Sequence, residues 1–415
     1  MSATSRKVDF GAWPFAGQLA RLLDVLGRDG EEARVVGGAV RNALIGVPVH
    51  DVDVATTALP DDVVRRARAA GFKPVPTGID HGTITVVIEK HPFEVTTLRT
   101  DVETFGRHAK VAFGRDWRED ALRRDFTMNA LSASRDGTVH DYTTGLADLD
   151  ARRVRFIGDA SKRIAEDYLR ILRFFRFHAA YGASGHPDAD GLAACIAARE
   201  GLSHLSRERL RMEMLKLVVA PHATPTLAVM ASAGLTLYIL AGVVYVAAFE
   251  NMAKVEAACG LAPDATRRLG ALAVAVREDA ERLFERLRLA NHERDRLIAM
   301  AEGWRDVAPT LGECAARASL YRRGPEAFTD QALLGWARSA ATAHDEAWHD
   351  LVTLPRRFTA PVFPLKADDF IKRGVAKGPA LGAVLRAAEN AWVAADFPAD
   401  RGALEAIADQ AMADQ

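Results

Sequence analysis

The stretch VVGGAVRNALIGVPVHDVDVATT, residues 35–57, decides how the N-terminal part of this chain is read. An apolar run ends at Gly37 and Gly38, AVRNALIG opens like a helix with Arg41 in it, and VHDVDVAT alternates with period two. The order is strand, turn, helix, strand. Alternate residues of a strand point to one side, so Asp51 and Asp53 aim their carboxylates together. Two anions facing one spot share a proton or hold a cation. Oxygen-only ligands suit magnesium, which keeps its waters and pairs with phosphate oxygens. Alone, such a pair is more often a solvated strand edge. The glycines shift the balance: they free the N–H groups at a helix start to meet phosphate and remove the Cβ that would block a ligand. Arg41, one turn in, can reach a triphosphate oxygen. The spacing is neither a dinucleotide fingerprint nor a P-loop.

Around this stretch the patterns are mixed. AGQLARLLDVLG reads as an amphipathic helix, ARVV as a strand and PDDVVRRARAAGF as a helix opened by proline. GTITVVIEKHPFEVTTLR reads as a hairpin about a Lys90–Pro92 turn. From Glu166 onward the periodicity is almost wholly helical. The expected class is α+β: a mixed-sheet head followed by helices.

The 415 residues are too many for one core. A net charge of −1 means that any nucleic-acid surface must be a local patch. Cys195, Cys259 and Cys314 are odd in number and far apart, which fits a reducing, cytoplasmic setting without disulfides or structural zinc. No secretory signal is read at the N-terminus. Residues 226–249 carry no charge over a length that could span a bilayer. Their Ala-Gly pairs and the lack of a flanking basic cluster favour two buried helices, so no membrane partner is expected.

The motif at residues 35–57 resembles the first motif of the class II tRNA nucleotidyltransferases, the CCA-adding family within the DNA polymerase beta-like nucleotidyltransferase superfamily. Asn42 stands where that family usually has aspartate. Further motifs follow in the family's order: RRDFTMNAL resembles its ribose-recognition motif, DLDARRVRFIGD its linker, and EDYLRILRFFRF its base-selection motif. FPLKADDFIKRGVAKGPALG resembles its tail segment. The likeness is strong over about residues 30–215.

The resemblance implies a polymerase beta-like head (1–155), a helical neck (156–225), a helical body (226–340) and a helical tail (341–415). It implies template-independent addition of C, C and A to tRNA from CTP and ATP, with no obligate protein partner. Two Mg2+ ions are expected at Asp51 and Asp53, with Glu94 on the adjacent hairpin strand as third catalytic carboxylate. Arg124 matches the family's nucleotide-contacting arginine, and Asp125 is placed to accept from a ribose 2′-OH. Asn129 is either a polar contact or a helix cap.

Asp167 and Arg170, three apart, would share one helix face. Cytosine and adenine both offer an exocyclic amine beside a ring-nitrogen acceptor, so a carboxylate and a guanidinium together imitate a base-pairing edge. Uracil and guanine present a carbonyl there, and each mismatched buried group costs about 1–3 kcal/mol. Arg173 and Arg176 continue the spacing and match nucleotide-binding positions, while Phe174, Phe175 and Phe177 are expected in the core. Lys372 and Arg373 are the expected RNA contacts of the tail.

Poly(A) polymerases, A-adding and CC-adding enzymes share the head. The segment TGIDHGTITVVIEKHPFEV lacks the basic, aromatic stretch typical of the polymerases, and TDVETFGRHAKVAFGRDWREDA (residues 100–121) supplies the flexible loop that CC-adding enzymes usually lack. An inactive RNA-binding scaffold is disfavoured because both aspartates are present. The doublets His344–Asp345 and His349–Asp350 read as helix-surface charge.

Overall fold

The computed structural model describes residues 6–78, 82–105, 108–183 and 185–413. The chain divides into two compact units, residues 1–239 and 240–415.

The first unit is built on a seven-stranded mixed sheet. Its strands are β1 (Ala33–Val36), β2 (Asp53–Thr56), β3 (Lys73–Gly78), β4 (Thr83–Ile88), β5 (His91–Thr97), β8 (Ser132–Ala133) and β9 (Val139–His140). They lie in the order β3-β4-β5-β2-β1-β8-β9. β2 and β5 pair in parallel and the other neighbours are antiparallel. All four residues of β1 are buried, as a strand covered on both faces requires. Helix α1 (Ala16–Leu26) buries Leu19, Leu22, Leu23 and Leu26, and α3 (Pro60–Ala69) packs on α1, β3 and β4.

The hairpin β4–β5 turns at Glu89 and Lys90, both with positive φ, as a two-residue turn demands. Pro92 therefore lies within β5, opposite Val87, and not in the turn. The segment expected to be a flexible loop instead contains a separate strand pair, β6 (Arg99–Phe105) and β7 (His108–Phe113), and leads into α4 (Trp117–Leu122). Gly106 lies outside the described residues. The Gly114 N–H binds the Leu98 carbonyl at 2.9 Å and so closes the base of this pair.

Beyond α5 (Gly145–Asp150) the unit is helical: α6 (Ala160–Glu166), α7 (Leu169–Tyr181), α8 (Ala189–Ala197) and α9 (Arg207–Val218). Phe174, Phe175 and Phe177 on α7 are buried, and Phe174 stacks on Phe156. The aromatic stripe is core, as expected. α6 and α7 are separate helices, which matters for the site.

The second unit is all helical, from Val246–Ala258 to Arg401–Ala413. Its core holds Phe328 and Trp336, and an ion cluster joins Arg267 and Arg296 to buried Asp330. Phe370, Val384, Ala388, Ala408 and Ala411 form a smaller cluster near the C-terminus. The uncharged segment at 226–249 is broken into short helices, and among the described residues no helix is long and apolar enough to cross a membrane.

Candidate active site

Strand β1 ends at Val36, opposite Asp53. Gly37, with φ +69°, then turns the chain into α2 (Gly38–Leu44). A Cβ there would stand 3.2 Å from Arg124 Nη1 and 3.6 Å from the Asn129 carbonyl. Glycine is thus required both by the left-handed backbone and by the close approach. The Gly37 N–H is not free for phosphate, because it binds the Leu131 carbonyl at 2.9 Å.

The same turn corrects the reading of the second strand. With β1 finished at Val36, residues before Asp53 have no partner on that side, and β2 starts at Asp53. Asp51 lies in the preceding loop, exposed, and does not occupy the strand. Asp53 pairs in parallel register with Glu94 of β5, so the two side chains leave the same face of the sheet. Asp53 is exposed, yet desolvation by the surrounding protein, the Glu94 charge and then the Asp51 charge push its carboxyl above the usual carboxylate range, against the pull of Arg124. Negative charge here is in excess. Among the described residues, no three His, Cys, Asp or Glu side chains are gathered closely enough to hold an ion unaided. The oxygen-only donor set of Asp53, its register partner Glu94 and the nearby Asp51 suits a hard divalent ion whose shell is completed by water and phosphate.

Arg41 is buried and largely committed to the protein. Its Nε and Nη2 donate to Asn42 Oδ1 at 3.1 and 2.9 Å, Nη2 also donates to the Tyr181 hydroxyl at 2.8 Å, and Nη1 donates to Asn129. Four of its five N–H groups are used. The guanidinium also lies 3.9 Å from the Tyr181 ring centroid, and burial lowers its pKa. Asn129 bridges Arg41 and Asp125 and caps no helix.

The RRDFTMN segment follows α4. Asp120, buried, holds both Arg123 at 2.6 Å and Arg124 at 3.1 Å. Burial would raise its pKa, but the two arginines outweigh that and lower it. Asp125 takes Arg173 at 2.6 Å, the Phe126 N–H at 2.9 Å and Asn129 Nδ2 at 3.3 Å. Here too the arginine overrides the burial cost and keeps the carboxylate below its usual range.

Asp167 and Arg170 do not share one helix. α6 ends at Glu166, Asp167 is extended (φ −158°, ψ 108°), and α7 begins at Leu169. The Asp167 carboxylate accepts the Leu169 N–H at 3.1 Å just ahead of the new helix, and that local bond competes with helix continuation. Both residues still line one cleft. Arg170 pairs with Glu166 and donates to the Arg163 carbonyl at 2.6 Å. Asp167 is gripped by Arg209 of α9 through two bonds of 3.0 and 2.6 Å. Arg176 pairs with Glu213 on the same helix α9.

The cleft has a volume of about 680 Å³ and is lined by Gly37, Gly38, Asp53, Asp125, Asn129 and Asp167, with Arg41, Arg124, Arg170, Arg173 and Arg176 among its cations. Every residue expected to bind nucleotide is therefore on its wall. Arg123, Arg209 and Lys216 line it as well and were not anticipated. Eight cations face three carboxylates, a balance suited to a polyanion. Asp51 and Glu94 lie off this wall. In the second unit, Arg373 pairs with Asp409, and Lys372 closes the helix Ala367–Lys372. His344 and His349 border a 290 Å³ depression, and among the described residues they belong to no metal-holding cluster.

Residues 33–155 match the family model described as the poly A polymerase head domain, and residues 186–245 match one described as a probable RNA and SrmB-binding site of polymerase A. The mouse mitochondrial CCA tRNA nucleotidyltransferase 1 is 34% identical over 387 residues, covering 91% of this chain and 86% of its own. A CCA-adding enzyme of Geobacillus thermodenitrificans is 42% identical over 228 residues, about half of each chain. The crystal structure of the Bacillus stearothermophilus CCA-adding enzyme in complex with CTP superposes with a TM-score of 0.76 at 29% identity, over 96% of this chain and 98% of that one.

Proposed function

The chain belongs to the CCA-adding tRNA nucleotidyltransferases, and on that premise we propose that it adds C, C and A to tRNA 3′ ends from CTP and ATP, releasing pyrophosphate. The observation that carries this reading is the cationic cleft in which the triphosphate turn and the base-selection residues converge.

Asp53 and Asp51 would hold the metal, two Mg2+ ions in the full site, with Glu94 beside them in register as supporting carboxylate. When bound, such ions lower the pKa of the attacking 3′-hydroxyl and neutralise the departing pyrophosphate. The chain's own residues do the placing. Gly37 and Gly38 let the triphosphate approach, Arg124 meets it, and Arg41 braces the turn against α7 with one N–H left to spend. Asp125, oriented by Arg173 and Asn129, offers acceptor capacity to a ribose 2′-OH. Asp167 accepts from the exocyclic amine of cytosine or adenine while Arg170 donates to the ring nitrogen, and no nucleic-acid template is needed. Arg176, fixed by Glu213, closes the cationic wall. The in-line attack then joins the 3′-oxygen to the α-phosphorus and releases pyrophosphate.

We read residues 1–155 as head, 156–225 as neck, 226–340 as body and 341–415 as tail, with Lys372 and Arg373 as tRNA contacts on phosphate. The three free cysteines suit a reducing compartment. The cytoplasm is the expected one, the mouse relative's mitochondrial name sets the alternative, and cell fractionation separates them. The activity test is sequencing of 3′ ends made from tRNA lacking its last three nucleotides, with CTP and ATP together. CCA ends support the proposal; ends in CC, a lone A, or long A-runs each select a different relative.

A further inference from the structure

We propose that Asn42 sets the charge presented at the triphosphate end of the cleft: as a neutral acceptor it fixes the Arg41 guanidinium without neutralising it, and so leaves that positive charge for the polyphosphate. This rests on the reading of the glycine turn as the triphosphate site.

Arg41 is the exception among the arginines of the cleft wall. Arg123 and Arg124 share Asp120, Arg170 pairs with Glu166, Arg173 with Asp125, Arg176 with Glu213 and Arg209 with Asp167. Each of those charges is met by a carboxylate of the protein. Arg41 is more deeply buried than any of them, yet among the described residues no carboxylate pairs with it. Its acceptors are all neutral: Asn42 Oδ1 at 3.1 and 2.9 Å, the Tyr181 hydroxyl at 2.8 Å, and Asn129 Oδ1. The Tyr181 ring face, 3.9 Å away, attracts the cation without cancelling its charge. Asp125 is linked to it only through Asn129, whose amide donates to that carboxylate at 3.3 Å. A buried cation without a counter-charge is costly, and an arriving polyphosphate supplies the missing anion. Asn42 is the residue on which this balance turns, because two of the guanidinium's bonds end on its Oδ1. Aspartate at position 42 would have the same shape and keep both bonds. It would also turn them into a charge-assisted pair and take one unit of positive charge from the cleft.

The test compares the wild type with Asn42→Asp and Arg41→Gln. Calorimetry measures the binding of inorganic triphosphate and of CTP, each with magnesium, and a thermal melt without ligand measures stability. Asn42→Asp should raise the melting temperature, because the buried guanidinium gains a counter-charge, and should weaken both ligands about tenfold, the effect of about 1.4 kcal/mol. The opposite signs are the signature, since a residue that merely supported the turn would lose stability and affinity together. Any other combination in Asn42→Asp, including unchanged triphosphate binding, overturns the inference. The triphosphate reading survives that outcome provided Arg41→Gln weakens the same ligands. If Arg41→Gln binds triphosphate as tightly as the wild type, that reading fails and takes the inference with it. Should Arg41→Gln not fold, Arg124→Gln, at a less buried position on the same wall, serves as the control for the reading.

Discussion

The two ends of the cleft are charged in opposite manners. At the base-selection end each ion has its own partner: Arg170 with Glu166, Arg173 with Asp125, Arg176 with Glu213 and Asp167 with Arg209. At the triphosphate end Asp53 faces Glu94 and Asp51, and the cation that offsets it, Arg124, is already shared with Asp120. On the roles proposed for the two ends, the difference has a physical reason. Selecting a base requires donors and acceptors fixed before the base arrives, so their charges are settled within the protein. Gathering divalent ions requires negative charge left unsettled, so the protein tolerates repulsion there.

The largest expected effect breaks the triphosphate end. Asp53→Ala should lower kcat at least about a thousandfold, since such ions supply several kcal/mol of transition-state stabilisation. Asp51→Ala should follow it, and Glu94→Gln should fall well short of either. Steady-state nucleotide addition under saturating magnesium measures all three, and undiminished turnover by the Asp53 variant would end the proposed metal role. At the other end, Asp125→Asn removes a charged hydrogen-bond partner of Arg173 and should cost about 1.5–3 kcal/mol. It should also narrow the preference for CTP over dCTP. Urea unfolding and competition between the two nucleotides measure the separate parts.

pH sharpens the contrast, because the two carboxylates shift in opposite directions. Asp125 is depressed, so its contribution to stability is present above the unfolded pKa near ~3.9 and lost as pH falls through its lower folded value. Asp53 is raised, so its contribution is present below that same pH and lost as pH rises through its higher folded value. Without metal, Asp53→Asn should therefore raise the melting temperature at pH 7 and not at pH 3.5. Magnesium should stabilise the wild type more than this variant at pH 7. Differential scanning calorimetry with and without magnesium reads both, and equal magnesium stabilisation of the two proteins would detach Asp53 from the ion.

Most of the head was legible because its signals are local. The glycine turn, the strand alternation and the arginine spacing each sit within a dozen residues, and all the expected nucleotide-binding positions reach one cleft. What could not be read was tertiary. Glu213 and Arg209 lie on α9, and nothing in their own sequence ties them to Arg176 or Asp167. Glu166 was within reach, since a glutamate four residues before an arginine is a favourable helical pair. The helix break at Asp167 was hidden because an aspartate inside an arginine-rich periodic run looks like one more polar helix position. The bond its carboxylate accepts from the Leu169 N–H reveals itself only in three dimensions. The start of β2 at Asp53 likewise depends on where its neighbour β1 stops, which alternation alone does not encode.

The smallest expected effect separates the two glycines of the turn. Gly37 has a left-handed backbone, and its Cβ would press on Arg124 Nη1. Gly37→Ala should cost about 1–2 kcal/mol from the backbone alone, and by displacing Arg124 it should raise KM for CTP. Gly38 differs: its Cβ would meet Arg41 Nη2 at 3.5 Å, an ordinary contact, and as the first residue of α2 it gains from alanine at most the about 1 kcal/mol that separates the two residues in a helix interior. Gly38→Ala should therefore leave stability unchanged or slightly increased. A raised KM in that variant would then report ligand approach and not a damaged fold, because only the open backbone at position 38 has been closed. Equal destabilisation by the two alanines would mean that the turn, and not ligand approach, requires both glycines.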